Sequence, residues 1–402
     1  MAKLTVKNVG PIREAEFEVK KHTVFIGPQG SGKSTLAKLI AICSDIDLLP
    51  NVLPNQYELL HKYNLTDYTN KSLNDNEISF TTNNYHVSYT NSSFNFFPSY
   101  EKAKFITHLA EKLKLSISNY NLYRNHMALS LQKANFADRL TSIDSVTNEF
   151  YKNILTQSVL QFQTVYIPAE RTLITTLGET FWSILYAGAI LPKSIITFGR
   201  DFLYARNNAQ KFDIPFLKVR YEHDPDNDKV FYSELDSVNL SQSASGYQSV
   251  IPLLLVVEHQ RQKSHRRFII EEPELNLYPT AQKDLIYSLM SGLDPNIAYQ
   301  DAEWVITTHS PYVLSSFNTL MLAYKVAQKS DELRAEVEKI IPARCWINPD
   351  EFAAYYVDNG TVRNIISEST GLIADNELDD VSEDLAGEQD QLSELSRSVP
   401  RA

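Results

Sequence analysis

Apolar and polar positions alternate over the first 27 residues, with a break at Gly10-Pro11. This period of two predicts strands at Lys3–Val9, Glu14–Val19 and Thr23–Ile26, the first pair joined by the Gly-Pro turn. A glycine-rich loop follows, and a helix is predicted from about Lys33 to Ile42. Residues 76–98 alternate again around Asn83-Asn84, which predicts a hairpin. Over 101–160 the alternation gives way to helical spacing, with Phe105, Ile106, Leu109, Ala110 and Leu113 on one face. Strand character returns at Thr164–Ile167. A helical stretch and a second hairpin follow, Phe216–Tyr221 with Val230–Tyr232, turning through Asp224-Pro225-Asp226-Asn227-Asp228. From 240 to 315 helices alternate with apolar strands, a pattern that predicts a parallel sheet and an α/β class.

The chain has 402 residues, 43% of them hydrophobic, enough for a full core in one large domain with insertions or in two domains. Its net charge of −11 excludes a surface coated in basic, nucleic-acid-binding residues. Most of that charge sits in residues 371–402, where nine acids face only Arg397 and Arg401, so the body is nearly neutral and a local basic surface remains open. Cys43 and Cys345 form no repeated spacing, which excludes a disulfide framework or a cysteine zinc site. The start of the chain lacks a signal-peptide core, and runs such as Leu253 to Val257 are too short to span a bilayer; a cytoplasmic protein without membrane contact is expected.

Candidate chemistry begins at Gly27-Pro28-Gln29-Gly30-Ser31-Gly32-Lys33-Ser34-Thr35, which contains a full G-x-x-x-x-G-K-[ST] between a predicted strand and a predicted helix. Its glycines let backbone N–H groups wrap phosphates at a helix N-terminus, Lys33 reaches the β- and γ-phosphates, and Ser34 ligates Mg²⁺. ATP and Mg²⁺ are the expected ligands. Behind it, Arg267-Phe268-Ile269-Ile270-Glu271-Glu272-Pro273-Glu274 is an apolar strand ending in paired acids. Glu271 is assigned to the metal shell and Glu272 to the attacking water. Leu240 to Ser249 places Ser245 and Gly246 before a predicted helix; the segment resembles an ABC signature, which implies an anion site for a γ-phosphate held by another subunit, and the alternative is a simple N-cap. His309 follows the apolar strand Trp304–Ile306 and looks like a switch histidine, a resemblance that implies sensing of the γ-phosphate and holding of water.

The order of these motifs, with Asn8-Val9-Gly10-Pro11-Ile12 ahead of them, resembles the RecF/SMC/Rad50-like branch of ABC ATPases. Ser245-Gly246-Tyr247-Gln248 stands where that branch has its signature, and Glu274–Pro279 occupies the place of the D-loop. More narrowly the chain is similar to the ATPase part of OLD-family nucleases and to stand-alone ATPases of anti-phage systems such as Septu, PARIS and retron cassettes. Tyr166-Ile167-Pro168-Ala169-Glu170-Arg171 looks like a motif of that group; Arg171 is expected to meet phosphate, an interface carboxylate or a structural salt-bridge partner.

The resemblance implies an ABC-type P-loop NTPase core with a mixed or parallel sheet, divided as 1–50 and 165–370, a mostly helical insertion at 51–164, and an acidic tail at 371–402. It also implies a homodimer closed on ATP, with Glu272, His309 and Lys33 catalytic, that controls a separate effector nuclease or toxin in phage defence. A DNA-repair or chromosome-maintenance ATPase and an ATP-binding scaffold with little turnover are the rivals; a transporter ATPase fits poorly. The 93 residues after His309 leave no room for the Toprim domain of OLD nucleases. Asp224, Asp226 and Asp228 lack the glycine and glutamate of a calcium loop and read as a solvated turn. Residues 101–140 hold seven Lys/Arg against three acids, which fits a solvated helical face or a nucleic-acid contact. In the tail, Leu378, Val381, Leu385, Leu392 and Leu395 fit either an amphipathic helix for a partner or a disordered acidic end.

Overall fold

The computed structural model describes residues 2–45, 60–69, 76–90, 93–102, 160, 162–178, 180–209, 211–224, 227–263, 265–294, 297, 299, 301–374 and 377–398. The strands at the start are β1 (Ala2–Val9), β2 (Ile12–Val19) and β3 (His22–Ile26), followed by β4 (Glu77–Thr81), β5 (Tyr85–Thr90), β6 (Ser93–Pro98) and β7 (Gln163–Ile167). Then come β8 (Lys211–Ile214), β9 (Val219–His223), β10 (Asp228–Phe231) and β11 (Ser237–Asn239). The last are β12 (Arg266–Glu271), β13 (Ala302–Thr308), β14 (Phe352–Asp358) and β15 (Thr361–Asn364). The helices that matter below are α1 (Lys33–Cys43), α2 (Thr172–Leu177), α3 (Thr180–Tyr186), α4 (Lys193–Asn208), α5 (Ser245–Arg261), α6 (Pro279–Ser291), α7 (Pro311–Ala327), α8 (Asp331–Ile340) and α9 (Glu377–Ser398).

The central sheet runs β15-β14-β3-β13-β12-β7. All its pairings are parallel except the edge strand β15. Both faces are covered, which is why β3, β12 and β13 are buried along nearly their whole length rather than at alternate positions. Phe25, Ile269, Val305 and Tyr355 pack toward α1 and the antiparallel sheet β2-β1-β4-β5-β6. Their neighbours Val24, Ile270, Ile306 and Ala354 turn to the other face, where residues of α4, α5, α6 and α7 join the same core. A third, antiparallel sheet runs β11-β10-β9-β8. The whole is an α/β P-loop NTPase fold with mixed sheets, as expected.

Three expectations need correction. The 76–98 hairpin gains a third strand, β6, and joins the sheet begun by β1. The second hairpin starts at Val219, not Phe216. Pro215 has no N–H for a ladder and Lys218 sits at φ 55, so Pro215–Leu217 forms a 3₁₀ turn between β8 and β9. Asp228 is not in a solvated turn: it opens β10, and its carboxylate accepts from Tyr221 Oη and Arg206 Nη1 and bonds His223 Nδ1. Asp226 and residues 103–140 of the basic stretch lie outside the described residues. In the tail, α9 is a helix with Leu385, Leu392 and Leu395 exposed. Among the described residues no helix is long and apolar enough to cross a membrane.

Candidate nucleotide site

In a parallel sheet the carboxyl ends of all strands open on one side, where helices begin and side chains can converge. Here the register puts Ile26 of β3 opposite Thr308 of β13, and Thr307 opposite Glu271 of β12. The loop after β3, the acids after β12 and the histidine after β13 are thereby set side by side.

The loop Gly27–Gly32 needs backbone angles that side chains disfavour, with φ of 148°, 76° and 109° at Gly27, Gly30 and Gly32. A Cβ on Gly27 would lie 2.1 Å from the Val357 carbonyl oxygen of β14. Pro28, Gln29 and Gly30 form the exposed crest, while Ser31, Lys33 and Thr35 are buried and Ser34 is half-buried. The Lys33 ammonium donates to the carbonyls of Gly27 (2.9 Å) and Pro28 (2.8 Å). Burial brings it down to about 8, against the pull of the Glu272 and Glu274 carboxylates. Ser31 Oγ is buried with no hydrogen-bond partner among the described residues. That orphaned hydroxyl, the glycine cradle and the oxygen donors Ser34 and Glu271 fit a phosphate chain with a hard divalent cation.

The two adjacent glutamates have different fates. Glu271 ends the fully buried β12, is 3% exposed and accepts a 2.6 Å bond from Tyr166 Oη. Glu272 turns to solvent, with a left-handed φ of 43°. That conformation is held from both sides, because its N–H donates to Thr307 O (2.9 Å) and its carbonyl accepts from Arg171 Nη2 (2.7 Å). Its carboxylate lies 3.5 Å from His309 Nε2. This histidine bond holds the Glu272 carboxyl below the usual carboxylate range, so it is an ionised acceptor at neutral pH.

Ser245 and Gly246 open α5, as the spacing predicts. The simple N-cap reading fails. No side chain caps the helix, and Ser243 Oγ donates backwards to Leu240 O. Gln248 instead braces the turn, donating to Ser241 O (3.1 Å) and Ser243 O (2.8 Å) and accepting from Thr176 Oγ1. Gly246 packs so tightly on the segment after β12 that a Cβ there would lie 2.8 Å from Asn276 O. Ser245 itself is exposed, and the structure gives neither it nor Gly246 a hydrogen bond to the P-loop among the described residues.

Two site residues had no individual role in the sequence, and a third, Arg171, has a different one from that expected. Glu274 is buried, which pushes its carboxyl up, and its Oε1 accepts from Thr308 Oγ1 (2.6 Å) and the His309 N–H (2.9 Å). It therefore fixes the backbone on which His309 stands. Tyr166 places a hydroxyl on Glu271; burial, and then Glu271 itself, push that hydroxyl well up, which keeps it a donor. Arg171 is fully buried, and among the described residues all its hydrogen-bond acceptors are main-chain carbonyls rather than the carboxylate or phosphate expected. The signals available were the E-E-P-E run and the Tyr166–Arg171 string, but neither shows what the side chains face.

With this geometry in hand, comparison with protein families matches residues 23–315 to the AAA domain described as putative AbiEii toxin, type IV TA system. The chain belongs to that family. Comparison with curated proteins gives no match. Among solved structures, the AAA domain and its surroundings are similar to an SmcHead bound to the C-winged helix domain of ScpA (10% identity, 90% of this chain and 96% of that one, TM-score 0.40). Also similar are the SMC head domain from Thermotoga maritima (9%, 91% and 98%, 0.38) and the Smc head domain with an extended coiled coil, bound to the C-terminal domain of ScpA, from Pyrococcus furiosus (9%, 91% and 96%, 0.36). At such scores the strand order and the site residues define this AAA domain.

Proposed function

We propose that this AAA-family chain binds and hydrolyses ATP as a head-to-tail dimer of ABC type, and that dimer closure controls a separate effector. The observation that carries this is the convergence of Lys33, Glu271, Glu272 and His309 at neighbouring strand ends, while Ser245 stands exposed on the same chain. Gly27 to Thr35 would wrap the phosphates, and Ser34 and Glu271 would hold Mg²⁺, whose chemistry is to neutralise charge on the transferred phosphoryl group. Glu272, ionised and hydrogen-bonded to His309, accepts a proton of the attacking water and aligns it. Ser245 and Gly246 of the partner would complete the anion cradle.

The effector reading rests on the family's description as a putative toxin of a toxin–antitoxin system and on the motif order. In this reading the chain is divided into a core at 1–50 and 165–370, an insertion at 51–164 that closure would move, and an acidic tail at 371–402. The decisive experiment is steady-state ATP hydrolysis by the full chain and by Glu272→Gln, with and without duplex DNA, alongside the oligomeric state. Loss of turnover by about 100-fold or more, with accumulation of ATP-bound dimers, is expected for the variant. Unchanged turnover in Glu272→Gln would sink the assignment, and strong DNA stimulation of the wild type would move the protein to a repair-like role.

A further inference from the structure

Among the described residues Arg171 is the largest fully buried side chain, with 0% exposure. Its Nε donates to Ser249 O (3.1 Å), Nη1 to Pro168 O (3.1 Å) and Glu271 O (2.8 Å), and Nη2 to Glu272 O (2.7 Å) and Pro273 O (3.4 Å). Burial lowers the guanidinium to about 10, although the carboxylates of Glu274, Glu272 and Glu271 act on it from a distance. Among the described residues it makes no ion pair, and burying a cation among carbonyls alone is expensive. What the side chain holds together explains its presence.

Ser249 lies one turn into α5, the helix that Ser245 and Gly246 open. The peptide units of Glu271, Glu272 and Pro273 carry the metal-side and water-side carboxylates. One planar fork therefore ties the exposed signature turn to the left-handed Glu272 of the same chain. A parallel link runs through α2, where Thr175 Oγ1 donates to Gln248 O (2.9 Å) and Thr176 Oγ1 to Gln248 Oε1 (2.9 Å).

In a head-to-tail dimer these two ends belong to different nucleotides. Glu272 faces the nucleotide on its own P-loop, and Ser245 faces the one on the partner's. We infer that Arg171 is a positioning residue that conveys engagement of the signature turn at one nucleotide to Glu272 at the other; this rests on the dimer proposed above. A shift of α5 on engaging a γ-phosphate carries the Ser249 carbonyl with it. The fork then moves the Glu271-Glu272-Pro273 peptides, and with them the carboxylate that pairs with His309. Packed elements of this kind switch between discrete arrangements rather than bending continuously.

Arg171→Lys tests this, because an ammonium keeps the charge but cannot bridge α5 and the loop after β12 in one plane. The full chain is assayed for hydrolysis against ATP concentration, for nucleotide binding to the single chain, and for thermal unfolding. Wild type is expected to give a sigmoidal curve with a Hill coefficient between about 1 and 2, the limit for two sites. Arg171→Lys should become hyperbolic, with kcat reduced and single-chain nucleotide affinity within about twofold of wild type. Thr175→Val, which leaves the fork intact and removes one of the two bonds from α2 to Gln248, should lower the Hill coefficient partway and remains informative if Arg171→Lys does not fold. The inference is overturned if either folded variant keeps wild-type cooperativity, if Arg171→Lys loses nucleotide binding and turnover together, or if a wild-type dimer hydrolyses ATP hyperbolically. A wild type that binds ATP without ever dimerising would instead defeat the dimer reading itself.

Discussion

The P-loop floor and the signature turn belong to one chain, yet their polar groups are satisfied to different degrees. On the floor, Lys33 has two carbonyls, Glu271 has Tyr166, Glu272 has His309, and the His309 backbone has Glu274. The signature backbone is braced just as firmly by Gln248 and by the contact of Gly246 with Asn276. Its serine, however, is exposed and makes no side-chain hydrogen bond among the described residues. Groups fixed by internal partners are preorganised to bind alone, whereas a rigid turn with its polar atoms facing outward acts only against a second surface. Under the proposed dimer, this difference would give nucleotide affinity to the floor and association to the turn.

The sharpest way to break that division is a pair of variants. Lys33→Ala removes a buried cation and should weaken ATP binding by roughly 100-fold or more, since hydrogen bonds to charged groups contribute about 1.5–3 kcal/mol each. Ser245→Arg should leave single-chain affinity within about twofold while abolishing ATP-dependent dimers and turnover, because a bulky cation then occupies the joint. Nucleotide titration and sedimentation distinguish the two. Equal loss of affinity in both variants would mean that the turn and the floor form one site within a single chain.

A smaller effect follows from protonation. Burial holds Lys33 at about 8, and bound phosphates favour its charged form, so the complex keeps its proton to higher pH than the free chain. Affinity is therefore full below about 8 and falls as pH rises through that value, by up to about tenfold per unit. Ser245→Arg should show the same profile, since it leaves the floor intact. A flat affinity between pH 7 and about 9.5 would show that Lys33 does not supply the cation.

Much of the floor is legible in the sequence because each of its parts is local. The glycines, Lys33 and Ser34 are consecutive, and the apolar run before Glu271 announces a buried strand by itself. What could not be read depends on which elements become neighbours. Nothing local says that β13 inserts between β3 and β12, so neither the grip of Glu274 on His309 nor the hydroxyl of Tyr166 on Glu271 is visible. Arg171 was misread because a buried guanidinium among carbonyls and an exposed one facing phosphate share the same letter. The second hairpin slipped because Phe216 continues the apolar pattern, while Pro215 and the left-handed Lys218 decide where pairing can begin. The tail left two readings open, as its leucine spacing gives a helix no core to rest on, and those of its leucines whose burial is described are exposed.

The smallest expected effect tests how far the floor is preorganised. Tyr166→Phe removes one hydroxyl and leaves the ring, whose edge-to-face contact with Tyr63 (5.4 Å between centroids) should persist. Glu271 carries one methylene more than an aspartate, and the 2.6 Å bond from Tyr166 fixes one of its oxygens so that the other is free for a cation. Losing a hydrogen bond to a carboxylate costs about 1.5 kcal/mol at the low end, or roughly 12-fold in an equilibrium constant. That change should appear as a higher Mg²⁺ concentration for half-maximal hydrolysis, with metal-free nucleotide binding unaltered because Lys33 is untouched. A fall in unfolding temperature with an unchanged Mg²⁺ requirement would reduce Tyr166 to packing. The carboxylate would then owe its position to β12 alone, and the floor would be less finished than its hydrogen bonds imply.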